Sequence, residues 1–246
     1  MAKRLLDRQV SVVEYMTSGA AIFGDGCGVS PAQAFHGIDP ALLRVEARFS
    51  HAKRMEKITA VFPMTFRLLG DGAAAMVRAF VETCPATTIR RLENARQFHR
   101  FLVSRWMLAA PEPPYLCDVA ACELACAAVD ADVHDCTPLP GPNADGVLPR
   151  GLRRSPAVVL LRCAHDIRPI FEAGLEHAVP VRRETPLVIA LPPGAKGPQV
   201  SEVDPALFDL LAALDDWCDP PELNAEPEFG RLVADLAAHG LVEVRR

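Results

Sequence analysis

Apolar positions in the first hundred residues recur at a helical period. Leu5, Leu6, Val12, Val13, Met16, Ala20 and Phe23 fall close to a 3.6-residue spacing, which predicts an amphipathic first helix. Asp39-Pro40 pairs a good N-cap with a residue suited to the first helical turn. The stripe Leu42, Val45, Phe49 and Ala52 follows, then Met55 and Phe62 up to Pro63, and predicts one buried helix face. A third, short helix carries Phe66 and Leu69 and stops at Gly70-Asp71-Gly72. A fourth shows Met76, Val77, Phe80 and Val81. A fifth starts at Thr87 or Thr88 with Ile89, Leu92, Ala95, Leu102 and Trp106 inward, and Asp118 is read as the cap of a sixth, Val119 to about Val129.

The grammar then changes. Residues 137–156 hold five prolines and three glycines, too many turn-formers for a regular element, and read as a linker. Beyond it Ala157–Cys163, Pro180–Glu184, Leu187–Leu191 and Gln199–Val203 are short extended runs. Asp204-Pro205 opens a helix with Leu207, Phe208, Leu211 and Leu214 inward, and Pro221–Ala225 suits one helical turn. Pro227 opens a last helix with Phe229, Leu232, Val233 and Leu236, closed by Gly240 as a C′ glycine and followed by extended Leu241–Val244. The predicted fold is α+β: a helical bundle over 1–136, a linker over 137–156, and a small winged-helix-like module of three strands and three helices over 157–246.

Composition supports a packed chain, half hydrophobic and 23% charged. Charge is uneven: residues 1–108 carry 15 bases against 9 acids, and residues 109–246 carry 11 against 22. The overall net charge of −5 disfavours a protein built for non-specific phosphate binding. No apolar run approaches the ~18–20 residues of a membrane span. Asp7, Arg8, Gln9 and Glu14 interrupt any signal-peptide core, so a soluble, cytoplasmic protein is expected.

Catalytic signatures do not emerge. The eight cysteines include no CxxC pair. Cys122 and Cys126 share a helical face and could chelate, but read more simply as small apolar packing residues, so no metal of the chain's own is expected. The seven histidines form no HExxH pattern. His165 and Asp166 are neighbours in an extended run and point to opposite faces, an ordinary surface pair. Ser18-Gly19 lacks a nucleophile elbow, and Gly24-Asp25-Gly26-Cys27-Gly28 lacks the strand and Lys-Ser/Thr of a phosphate loop. The chain is therefore not expected to be an enzyme on its own. Arg44/Arg48 and Lys53/Lys57 are i,i+4 basic pairs on the second helix, partly offset by Glu46 and Glu56. They make either a solvated face or a docking surface for an acidic partner.

Several fragments carry a resemblance: residues 54–70 with Ile58, Phe62-Pro63 and Phe66; Phe80-Val81; Glu93-Asn94-Ala95-Arg96-Gln97-Phe98; Phe101-Leu102; and Tyr115 to Glu123. Their order resembles a helical family whose name carries the words "DNA-binding domain" and whose members accompany multinuclear non-haem iron oxidative enzymes. The two-part plan is similar to the partner subunits of methanobactin and thiaglutamate biosynthesis. There the iron enzyme modifies cysteines of a ribosomally made precursor peptide and the partner helps to present it. The C-terminal pattern resembles peptide-recognition elements, which bind a leader peptide as an added strand between the third strand and the third helix. The resemblance implies peptide contacts from Gln199, Val200, Ser201, Glu202 and Val203 and from Phe229, Leu232, Val233 and Leu236. It also implies iron on the partner enzyme and no cofactor here.

Two function classes follow: a leader-binding partner subunit, or a DNA-binding regulator using the winged helix or the basic helical half. Glu226–His239 offers Arg231 and His239 against Glu226, Glu228 and Asp235, a poor recognition helix for phosphates. If Gln199–Val203 is an edge strand, Ser201→Pro should remove one of its free donors.

Overall fold

The computed structural model describes residues 5–24, 37, 39–135, 151–172, 178–218 and 227–245. The helical turn read at Pro221–Ala225, most of the linker, most of the Gly24–Gly28 run, Cys27 and Cys136 lie outside them. The protein is mixed α+β with a small antiparallel sheet. It divides into two compact units, Met1–Pro113 and Pro114–Arg246.

The first unit is helical: α1 (Leu5–Met16), α2 (Gly19–Phe23), α3 (Pro40–Thr59), α4 (Pro63–Leu69), α5 (Gly72–Thr83) and α6 (Arg91–Leu108). The single helix read up to Phe23 is broken at Thr17-Ser18, where the Ser18 side chain caps α2 by accepting from the Ala21 N–H. Asp39 caps α3 as the sequence predicts, accepting from the Ala41 N–H at 2.8 Å. The face α3 buries is not the predicted one. Leu43, Ala47, Arg54 and Ile58 turn inward, while Leu42, Val45 and Phe49 are 66%, 63% and 54% exposed. The core centres on Phe98, whose ring lies 5.0–6.4 Å from those of Phe62, Phe66, Phe80 and Phe101. Ile89, expected inside, precedes α6 and is exposed.

The second unit begins with a helix that the sequence reading grouped with the bundle. This is α7 (Leu116–Asp135), and it packs against β2 (Val158–Asp166) and β3 (Val181–Ala190). Asp118 is not its cap but lies within its first turn. The predicted linker runs too far: Gly151–Arg154 forms β1, paired antiparallel with β5 (Val242–Arg245). α8 (Arg168–Phe171) follows β2, and β4 (Gln199–Glu202) follows β3. The main sheet has the antiparallel order β2-β3-β4. The two extended runs separated at Thr185-Pro186 are one strand, β3. Proline is tolerated in this central strand because Pro186 faces Val203, where the β4 ladder ends and its missing donor is not needed.

α9 (Pro205–Ala213) and α10 (Pro227–Ala238) are the last helices among the described residues. Val188 and Ala190 share one core with Leu211, Leu214, Val233, Leu236 and Val242. By strand alternation Leu187 and Ile189, both fully buried, point to the opposite face of the sheet, the side open to α7. α10 ends as the sequence predicts. Gly240 has φ +72°, Leu241 N–H donates to Leu236 C=O and Gly240 N–H to Ala237 C=O, a Schellman motif.

Candidate functional site

β4 lies at the margin of the main sheet, with no strand on its outer side among the described residues. Its register pairs Gln199 with Ala190, Val200 with Ile189, Ser201 with Val188 and Glu202 with Leu187. The next pair is fixed by the 3.1 Å bond from Val203 N–H to Pro186 C=O. Hydrogen-bonded pairs recur every second residue in an antiparallel ladder. Ser201 and Gln199 therefore direct their backbone groups to β3, and Val200 and Glu202 direct theirs outward. The free donors of the edge belong to Val200 and Glu202, not to Ser201.

Side chains follow the same alternation. Gln199 and Ser201 lie on the face of Val188 and Ala190, which is the face of the core that includes α10. Val203 and Phe229 are partly buried against that core, and Val233 and Leu236 are buried within it. Of the four apolar positions of the last helix, Leu232 is the outward one, 39% exposed.

Glu202 is already engaged. Its carboxylate meets Arg183 at 2.5 Å and Arg168 at 2.6 Å, and both guanidiniums also reach Asp166 Oδ2 at 2.7 Å. Hydrogen bonding from Arg168, then Arg183, holds the Asp166 carboxyl well below the usual carboxylate range, and Arg183 draws Glu202 down in the same way. No sequence motif announces this four-residue network. Positions 166, 168, 183 and 202 meet only once strand register is known.

The four basic residues of α3 do not form one patch. At 100° per residue, Arg44 and Arg48 fall on one flank of the helix and Lys53 and Lys57 on the other. Arg48 Nε donates to Ile22 C=O at 3.3 Å and Lys57 Nζ to Ile89 C=O at 2.7 Å, so one member of each pair ties α3 to a neighbouring segment. Lys53 Nζ lies 4.3 Å from the centre of the Phe49 ring, beside the exposed Leu42, Val45 and Phe49.

His165 is not the surface residue the sequence suggests. It is buried, its backbone N–H and Nδ1 both on Asp118 Oδ2 of α7 at 3.1 and 2.9 Å. Cys122 is buried on α7 and Cys163 on β2. Burial pushes the Cys163 thiol up to about 12, and a thiol hydrogen bond to Cys126 together with burial raises Cys122. Among the described residues no group of three or more histidine, cysteine or carboxylate side chains has the arrangement of a metal site. No described helix is long and apolar enough to cross a membrane.

Set against protein-family models and against curated protein sequences, the chain matches none.

Proposed function

We propose that this protein is a non-catalytic partner subunit that binds the leader of a ribosomally made precursor peptide and presents it to a multinuclear non-haem iron enzyme. The observation that carries the reading is the open edge of β4, with outward N–H groups at Val200 and Glu202 and the α10-side core beside it. An incoming peptide strand would gain main-chain bonds along that edge. Side-chain discrimination would come from Leu232 and Phe229, while Val233 and Leu236 hold the helix in place. The iron belongs to the partner enzyme. The order of helical fragments that resembles partner subunits supports the same assignment, and the winged-helix arrangement is part of it.

The test is Val200→Pro, which removes an outward donor from an edge strand whose extended backbone accepts proline. Far-UV circular dichroism should stay unchanged while precursor-peptide affinity falls about tenfold, roughly 1.4 kcal/mol. Ser201→Pro, by contrast, should break a β3–β4 ladder bond and lower stability. Unchanged affinity in folded Val200→Pro would sink the β4 assignment. Failure to co-purify an iron-loaded enzyme from cells expressing the neighbouring genes would sink the partner role.

A further inference from the structure

The helical unit carries a second place where charge and shape combine. A hollow of about 400 Å³ opens where the end of α5, at Thr83 and Cys84, faces Gln97, Arg100, Ser104 and Arg105 of α6. α6 has four arginines and one acid, Glu93, which Arg96 occupies at 2.5 Å. Arg100 and Arg105 have no carboxylate partner among the described residues, and the positions three and four away from them on α6 hold no acid.

Neighbouring polar groups are committed elsewhere. Gln97 accepts from Arg54 Nη2 at 2.8 Å and donates to Pro85 C=O at 3.0 Å. Ser104 and Thr83 donate back to the carbonyls of Phe101 and Ala79. The carbonyl end of α5 would by itself repel an anion. Arg54 offsets it: buried and bonded to neutral acceptors, it donates to Cys84 C=O at 3.0 Å from behind the hollow. The contrast is the hollow of about 540 Å³ beside Arg162, Arg182 and Arg183 in the other unit. There Arg162 is held by Glu184 and Asp209, and Arg183 by Asp166 and Glu202.

We propose that the α5–α6 hollow is an oxyanion site, in which Arg100 and Arg105 together bind a carboxylate or phosphate group. Five residues separate the two along α6 by about 7.5 Å of rise and about 140° of turn. They therefore stand on the two sides of the hollow, with Gln97, Phe101 and Ser104 between them. A shared anion would be gripped from both flanks by their long side chains. Guanidiniums with no carboxylate partner among the described residues offer charge-assisted hydrogen bonds, which are stronger than neutral ones. The anion is either a free small molecule or an acidic side chain of a bound protein. The site does not rest on the peptide reading, since it belongs to the helical unit and β4 to the other.

The experiment titrates full-length ¹⁵N-labelled protein with inorganic phosphate, and separately with an acetylated Gly-Glu repeat peptide, following the arginine Nε–H signals. The Arg100 and Arg105 signals should shift saturably. Arg100→Ala and Arg105→Ala should each weaken binding at least about tenfold, with circular dichroism unchanged, while Lys196→Ala on an exposed turn has no effect. Tighter binding of the peptide identifies a protein-borne carboxylate, and tighter binding of phosphate a free anion. Shifts that do not saturate with either probe would overturn the proposal. So would saturable binding that survives both arginine substitutions. The two arginines would then serve only the carbonyl end of α6.

Discussion

The two units handle positive charge in opposite ways. In the sheet unit Arg153, Arg154, Arg162, Arg168 and Arg183 are each bound to a carboxylate, most of them across strands or between a strand and a helix. In the helical unit Arg54 is buried on three neutral acceptors, Asn94, Gln97 and the Cys84 carbonyl, and Arg100 and Arg105 have no acid within helical reach. Net charge along the chain therefore understates the difference. Five arginines of the acidic unit are tied up inside its own fold, and the basic unit leaves Arg100 and Arg105 available to other molecules.

The cores differ in the same sense, and the largest effects should come from there. The helical unit concentrates on one ring, so Phe98→Ala should cost about 3–5 kcal/mol in urea unfolding, from lost burial plus the cavity left among four other phenylalanines. Leu236→Ala in the sheet unit removes one of many aliphatic contacts and should cost roughly 2–3 kcal/mol. The two tryptophans serve as reporters, Trp106 in the helical unit and Trp217 in the sheet unit, isolated by W217F and W106F variants. An equal loss on both reporters for either substitution would erase the contrast.

Arg54→Met comes next. It keeps most of the side-chain volume but strands the Cys84 carbonyl and two amide oxygens, and should cost about 1–3 kcal/mol. Arg162→Met, at an exposed double ion pair, should cost less than about 1 kcal/mol. Reversal of that order would mean that exposed networks, not the buried arginine, carry the stabilising charge.

Local signals were the legible part. Asp39, Pro40, Gly240 and the Pro205 start act through their own backbone neighbours, so residue type alone announces them. Periodicity found the helices but misjudged which face of α3 is buried. Leu42, Val45 and Phe49 are as apolar as Leu43 and Ile58, and only the neighbouring helices decide between two stripes. The membership of α7 failed for a related reason. Its apolar residues surround it almost evenly, and the bond from Asp118 to His165 spans 47 residues. At β4 the sequence located the edge but not its parity. The free donors alternate, and Pro186 on the facing strand sets which residues hold them.

Proton linkage gives a third way to separate the units. Burial lowers the pKa of His51, with help from Arg54, and burial alone lowers that of His99. The folded helical unit thus holds both imidazoles neutral, and His51 Nδ1 is buried without a hydrogen-bond partner among the described residues. Above the ordinary histidine value of 6.5 neither state takes a proton and their contribution is complete. Below it the unfolded chain is protonated first, so stability falls as pH drops towards the lowered folded values. The sheet unit's Asp166 is depressed from 3.8, so its contribution is complete above that value and is lost only as pH falls below it. The Trp106 urea midpoint should drop between pH 7 and 5 while the Trp217 midpoint holds, and His51→Gln with His99→Gln should flatten the former. Coincident midpoints at every pH would show one cooperative unit and break the distinction.

The smallest effect is on reactivity and needs no unfolding. Cys163 is almost fully buried on β2 and its thiol is pushed up to about 12 by burial, with Asp118 and Asp166 adding to the rise. Only about one molecule in ten thousand holds it as thiolate at pH 8, and the thiolate is the nucleophile. Cys122 on α7 is shielded by the same burial and by its bond to Cys126. Cys84, by contrast, sits half-buried at the end of α5 and lines the arginine hollow, where a small reagent can reach it. Brief treatment with iodoacetamide at pH 8, read by peptide mass spectrometry, should modify Cys84 and leave Cys122 and Cys163 intact until urea is added. Phosphate should slow the reaction of Cys84 if an anion occupies the hollow, and Arg100→Ala should remove that protection. Modification of Cys163 at the rate of Cys84 in the folded protein would mean that the packing of α7 against the sheet opens on the timescale of labelling. The sheet unit would then be the looser of the two.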